Sequence, residues 1–310
     1  MCTCYLQVQT QHRPTSGHTG DQKVENQILI IGGTGNIGTP LVELLKGSDQ
    51  SYRVMVRSDE NEAKMTSEGI PTVRAELGDW RSVEAALEGV DTIFLLSAPS
   101  PVMSDLHTGL IDRAKSADVR KIVRLSAEPA KYCKGLPMYE QHAEVDDYLM
   151  ASGLNYVILR PHYFMQNIPQ MHASFMKDSQ MFAQYMGDTR IPMVDARDIA
   201  KAALAGLTSD AFNGKIHYIT GPQSISFDDV AKAFSKPLGK VINYVDLPYK
   251  DQKAGLEAYG TPDMIVQTVM SLFKRWSEGE DQPATSDYEK ITGERATDIN
   301  TFAAEVAGSF

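Results

Sequence analysis

Gln27-Ile-Leu-Ile-Ile31-Gly32-Gly33-Thr34-Gly35-Asn36-Ile37-Gly38 is the stretch that decides the fold. A short apolar, β-branched run passes directly into four glycines within seven positions. Such a run suits a parallel strand buried on both faces. Apolar positions Ile37, Leu41, Leu44 and Leu45 then recur at helical spacing over residues 36–46, and Gly47 supplies a stop. In that strand–turn–helix order a glycine pattern points to a dinucleotide site. One glycine permits the tight turn, another lets the backbone approach a pyrophosphate, and Gly38 lets the helix lie close to the sheet. The helix N-terminus offers free N–H groups and the positive end of its dipole to phosphates. The expected cofactor-binding loop is therefore Gly32, Gly33, Thr34, Gly35, Asn36, Ile37 and Gly38.

Working outward, strand and helix patterns alternate. Strands are expected at 52–56, 71–75, 91–96, 121–125 and 156–159, with helices at 61–68, 80–88, 102–116 and 139–151. Repeated β-α units of this length imply a doubly wound parallel Rossmann sheet in an α/β protein. After Arg160-Pro161 the rhythm breaks into short strands near 215–219 and 241–245 and helices near 228–234, 262–273 and 298–306. The expected organisation is a loose tail at 1–26, a dinucleotide-binding domain at 27–160, and a smaller C-terminal α/β substrate lobe at 161–310. Residues 191–207 are expected to pack back on the first domain.

Composition narrows the class. The chain has 310 residues, with 40 acidic against 30 basic side chains and a formal net charge of −10. That balance repels phosphate backbones and argues against nucleic acid as a partner. No apolar run approaches the ~18–20 residues needed to span a bilayer. Three cysteines cannot build a disulfide framework, and this usage fits a reducing, cytoplasmic location. Cys2-x-Cys4 supplies at most two ligands, so no metal site is expected.

Cofactor choice turns on the end of the second strand, where an NAD site usually carries an acid for the ribose 2′-OH. Here the strand reads Arg53-Val-Met-Val-Arg57-Ser58. Arg57 falls at that position, and its planar guanidinium suits a 2′-phosphate, with Lys64 assisting. The competing arrangement leaves Arg57 in solvent and gives the ribose to Asp59 or Glu60. The expected cofactor is NADP(H). Asp79 stands where an adenine amino group arrives and also reads as the N-cap of the following helix, and both roles can hold. Ser97, Ala98 and Pro99 end the fourth strand with small residues across which a cofactor can lie.

These motifs resemble the NmrA-like group of atypical short-chain dehydrogenases/reductases. The resemblance covers about residues 27–310. It is carried by the glycine loop, Val56-Arg57, Gly78-Asp79 and Gly89-Val-Asp-Thr-Ile-Phe94. It is carried also by Gln141-His142-Ala-Glu-Val-Asp146-Asp-Tyr-Leu149 and by Ser152 to Asn167, which contains Leu159-Arg160-Pro161-His162-Tyr163-Phe164. Ile191-Pro-Met-Val-Asp195-Ala-Arg-Asp198-Ile-Ala200 and Ile219-Thr-Gly-Pro222 match too. The resemblance implies a Rossmann domain with a lobe closing over a substrate cleft, and NADPH-dependent reduction of quinones, dyes or ethers. The group also includes dinucleotide-binding regulators and enzymes of natural-product pathways.

The Tyr-x-x-x-Lys pair of ordinary short-chain dehydrogenases is missing from the helix that should carry it. That helix instead holds His142 and Asp146 at i, i+4, a spacing at which the carboxylate would orient the imidazole and raise its pKa. Ser126, at the end of the fifth strand, is expected near a substrate oxygen, and Tyr139 is a weaker proton donor. Tyr163, Phe164, Asn167 and Phe182 belong to a Met- and aromatic-rich segment suited to walling a pocket for a small hydrophobic substrate. Three functions follow. The first is a reductase delivering hydride to a conjugated carbonyl, imine or quinone-like acceptor. The second is a related enzyme that steers a cyclisation or isomerisation. The third is a non-catalytic NADP-binding sensor with a protein partner.

Overall fold

The computed structural model describes residues 27–132, 134–279 and 282–309. The expected tail, with Cys2 and Cys4, lies outside the described residues. The first half alternates as β1 (Gln27–Ile31), α1 (Gly38–Lys46), β2 (Tyr52–Val56), α2 (Asp59–Ser67), β3 (Thr72–Arg74), α3 (Trp80–Leu87) and β4 (Val90–Leu95). It continues with α4 (Met103–Ser116), β5 (Lys121–Leu125), a short 3-10 helix (Glu128–Tyr132), α5 (Pro137–Ala151) and β6 (Asn155–Pro161). Of the boundaries that differ from expectation, two have visible reasons. Helix α1 starts at Gly38, because Asn36 and Ile37 belong to the glycine turn. Helix α2 starts earlier, because the Ser58 hydroxyl accepts the Asn61 N–H at 3.3 Å and caps it.

The second half contributes α6 (Asn167–Asp178), β7 (Met181–Gln184), α7 (Ala196–Thr208), β8 (Lys215–Ile219), α8 (Phe227–Leu238) and β9 (Asn243–Asp246). It ends with α9 (Tyr249–Ala258), α10 (Asp263–Ser277), α11 (Asp287–Thr292) and α12 (Ile299–Val306). Seven strands form one parallel sheet in the order β3-β2-β1-β4-β5-β6-β8. The order reverses at β1, so the β1–β4 crevice at the strands' carboxyl ends is where a ligand is expected. A separate parallel pair, β7-β9, belongs to the lobe.

Residue 160 is not a clean boundary. Strand β8 is the seventh strand of the main sheet, and α7 packs on α1 with α11 beside it. Ala196, Ile199, Ala200 and Ala203 are buried, the three alanines letting α7 lie close on the sheet core and Ile199 filling it. The lobe has its own core, built on Met165, Ile168, Phe182, Phe227, Phe273 and Trp276. Among the described residues, no helix is long and apolar enough to cross a membrane.

Candidate cofactor and substrate site

The glycines of the first loop answer different needs. Gly32 sits at φ +83°, and a Cβ there would lie 2.6 Å from the Leu96 carbonyl oxygen. A Cβ at Gly38 would come within 2.1 Å of the Gly32 oxygen. The fold itself demands those two. Gly35 is exposed, and a Cβ there would meet nothing closer than 3.7 Å. Its open space is a cradle into which a ligand can press against backbone. Ile37 caps α1 without any side-chain hydrogen bond. The Thr39 N–H bonds the Gly35 carbonyl at 2.9 Å and Pro40 has none, so among the described residues the Gly38 N–H is the first-turn donor left for an outside acceptor. The Ile37 side chain is buried in the core, so only its backbone can serve a ligand. Thr34 and Asn36 are exposed, and Asn36 accepts a hydrogen bond from Gln170 of α6 at 3.1 Å.

The adenosine side follows. Arg57, just beyond β2, is exposed and makes no ion pair or side-chain hydrogen bond among the described residues. The competing carboxylate Asp59 is held by Arg74 at 2.5 Å, and Glu62 stands 3.8 Å from the same guanidinium. Lys64 is exposed and lines a hollow with Gly33, Thr34, Thr39 and Asn61. Asp79 caps α3 by accepting the Ser82 N–H at 3.5 Å, the structural one of its two expected roles. Ser97, Ala98 and Pro99 follow β4, and the Ser97 hydroxyl pairs with Nε2 of the buried His107 at 2.8 Å. These residues fit a dinucleotide with a 2′-phosphate: an open glycine cradle, an uncapped helix terminus and an unpaired arginine.

The His142–Asp146 pair is not formed. Asp146 is fully buried and receives Arg124, Arg160 and the Ser126 hydroxyl. Arg160 donates from Nε to Oδ2 at 3.0 Å and reaches the Tyr218 hydroxyl at 3.2 Å. Two arginines on β5 and β6 thus outcompete a histidine one turn away on the same helix. A buried guanidinium needs a carboxylate far more than a partly exposed imidazole does. His142 Nδ1 instead faces Nη2 of Arg124 at 3.2 Å. Burial and the Arg124 charge push the imidazole well below its ordinary value, opposite to the rise expected from the sequence. Ser126 is also corrected: it is buried and its hydroxyl donates to Asp146 at 2.7 Å, so it is not presented to a substrate. Tyr139 lies half-buried, its ring 6.1 Å from that of His142. Burial, reinforced by the Glu128 charge, raises its phenol above the ordinary value, so it holds its proton.

Of the expected pocket wall, Tyr163 and Phe164 are half-buried just after β6, and the Tyr163 hydroxyl is sealed in without a hydrogen-bond partner among the described residues. Phe182 is corrected: it is 1% exposed, packed among His172, Phe227 and Tyr244 in the lobe core. A clasp between the two halves was not visible in the sequence. The Tyr132 hydroxyl donates to buried Glu128 at 2.9 Å and accepts from Trp276 Nε1 at 3.1 Å. Arg275 donates to the Tyr132 carbonyl at 2.9 Å, and His162 stacks on Trp276 at 4.9 Å. The segment after β5 is thereby tied to α10.

A family model described as the NmrA-like family matches residues 24–303. The chain is 28% identical over 283 residues to an NAD(P)H azoreductase of Xenophilus azovorans, covering 91% of this chain and 99% of that protein. It is 28% identical over 285 residues to an agroclavine dehydrogenase of Claviceps fusiformis, covering 90% of this chain and 96% of that one. Among solved structures, it superposes on an NADPH-dependent quinone oxidoreductase from Escherichia coli, complexed with NADPH, with a TM-score of 0.79. That pair is 25% identical over 90% of this chain and 99% of the other.

Proposed function

The chain belongs to the NmrA-like family, and from that premise we propose a reductase that carries hydride from NADPH to a flat, hydrophobic, conjugated small molecule. The azoreductase and the quinone oxidoreductase that it resembles are both nicotinamide-dependent oxidoreductases by name. The chain is an NADP-dependent oxidoreductase on a Rossmann fold. Quinones, imines or iminium ions and conjugated carbonyls are the acceptor classes. A place in natural-product metabolism is supported by the likeness to agroclavine dehydrogenase, and a cytoplasmic location by the cysteine usage.

The observation that carries the cofactor half is the unpaired Arg57 beside an Asp59 already committed to Arg74. Bound NADPH supplies the hydride. The Gly38 N–H at the start of α1 and the backbone at Gly35 would hold the pyrophosphate, and Arg57 with Lys64 would hold the 2′-phosphate. The residues after β4 and β6 shape the cleft in which the acceptor is positioned, and positioning supplies most of the rate. Neither Ser126 nor Tyr139 is set up to give a proton. The test is stoichiometric NADPH oxidation with a panel of one quinone, one azo dye, one cyclic iminium ion and one enone. Turnover of at least one with reduced product supports the reading. A product of unchanged oxidation state moves it to isomerisation or cyclisation.

A further inference from the structure

The imidazole of His142 lies against the Arg124 guanidinium of β5. Groups face it from several elements. Arg124 comes from β5, with Arg160 of β6 behind it, and His107 of α4 acts on it at longer range. Tyr139 lies on its own helix, one turn away. Gln141, the neighbouring residue, donates to the Ser100 carbonyl at 3.2 Å and accepts the Ser104 N–H at 3.1 Å. That bracket fixes this turn of α5 against the loop after β4, where the cofactor edge is expected. Arg124 is fully buried, and its own position is set by Asp146.

A guanidinium has only donors. The 3.2 Å contact between Arg124 Nη2 and His142 Nδ1 is therefore a hydrogen bond only if Nδ1 is the acceptor. An imidazole whose Nδ1 accepts carries its one proton on Nε2. Among the described residues Nε2 has no protein partner, and it is not one of the sealed, unsatisfied polar atoms. Its N–H is free to bond a ligand.

We infer that Arg124, itself held by Asp146, locks His142 as the neutral Nε2–H tautomer, and that His142 acts as a fixed hydrogen-bond donor to the substrate atom on which negative charge grows. This rests on the reductase reading. His142 is then the catalytic residue, and Arg124 and Asp146 are positioning residues. The cation beside the ring is what keeps it neutral, since a second proton would set two positive charges in contact. A donor that is never charged needs no acidic pH to work.

Two measurements test this. Long-range nitrogen–proton correlation spectra of protein labelled at imidazole nitrogen, assigned with H142Q, read the tautomer directly, without cofactor or substrate. The expected pattern is one proton, on Nε2, unchanged between about pH 5 and 8, the window in which an ordinary histidine titrates. In R124Q, with folding checked by its thermal melt, that single tautomer gives way to a mixture. A proton on Nδ1, or a charged ring within that window in the wild type, overturns the lock. The second measurement is steady-state kinetics with whichever of the quinone, enone and azo dye is turned over best, the acceptors in which hydride places negative charge on oxygen or nitrogen. H142F loses roughly ten- to hundred-fold in kcat, as for a hydrogen bond to a charged group, with the KM for NADPH little moved. H142Q, which keeps an N–H donor, recovers roughly ten-fold of that loss. Wild-type kcat in H142F, or an acidic limb in the wild-type profile that H142F abolishes, overturns the donor role. If no acceptor is reduced, the reductase reading falls while the spectra still decide the Arg124–His142 lock.

Discussion

Asp59, two residues past the unpaired Arg57, forms an exposed ion pair with Arg74 at 2.5 Å. The pair occupies the carboxylate that would otherwise compete for a ribose hydroxyl. The 2′-phosphate would therefore meet a guanidinium that carries no ion pair of its own among the described residues. R57A is expected to raise the KM for NADPH by roughly 10- to 100-fold, the worth of a charge-assisted contact, and to leave the KM for NADH within about two-fold. Steady-state titration of both cofactors reads this. Equal effects on the two would remove Arg57 from the phosphate.

Gly35 and Gly38 separate a ligand's requirement from the fold's. A methyl at Gly38 collides with backbone at 2.1 Å, which cannot yield without moving α1. G38A is expected to cost about 1–3 kcal/mol or more in urea unfolding. A methyl at Gly35 meets nothing within 3.7 Å. G35A should unfold within about 0.5 kcal/mol of the wild type and still bind NADPH at least ten-fold more weakly. Normal NADPH affinity in G35A would show that the cradle is not used.

How far the sequence could be read depends on the range of the interaction. The strand–glycine–helix unit was legible because its constraints are local: apolar continuity over 27–31 and a turn that only glycine can make. The His142–Asp146 expectation came from helix periodicity, and the periodicity was right about the face. It could not weigh Arg124 and Arg160, which arrive from separate strands. The available signal was two arginines at the ends of otherwise apolar runs, Ile122-Val-Arg124-Leu and Ile158-Leu-Arg160-Pro. Guanidinium groups at such buried positions need a buried acid. Phe182 failed for a different reason. Aromatic and methionine content reads the same for a pocket wall and for a core.

The buried Asp146 also makes a stability prediction. Arg124 and Asp146 are both fully buried, and Arg160 is nearly so. D146A strands two guanidinium groups in the interior and is expected to cost about 3–5 kcal/mol. S126A removes one hydroxyl donor from the same carboxylate and should cost only about 1 kcal/mol. Urea denaturation of both variants at one pH checks the order. A D146A no weaker than S126A would mean that the interior relaxes to solvate the arginines.

Acid should unfold this protein earlier than its carboxylates alone would require. Burial holds His107 down to about 3, with Arg124 adding to the effect, and His162 and His172 down to about 4. In the unfolded chain each returns to about 6.5. Between those values the unfolded state binds more protons than the folded one, so stability rises with pH across that window. The contribution is complete above about pH 6.5 and is lost as pH falls toward 4 and then 3, at up to about 1.4 kcal/mol per unit for each group. The urea midpoint is therefore expected to fall steadily from pH 6.5 to pH 4. The His172 ring lies 5.2 Å from that of Phe182, tilted against it, beside the apolar lobe core into which a phenyl ring is substituted as the uncharged variant. H172F should flatten the slope by about one proton's worth between pH 6.5 and 4. A slope unchanged in H172F would show that this ring takes up its proton without unfolding the lobe.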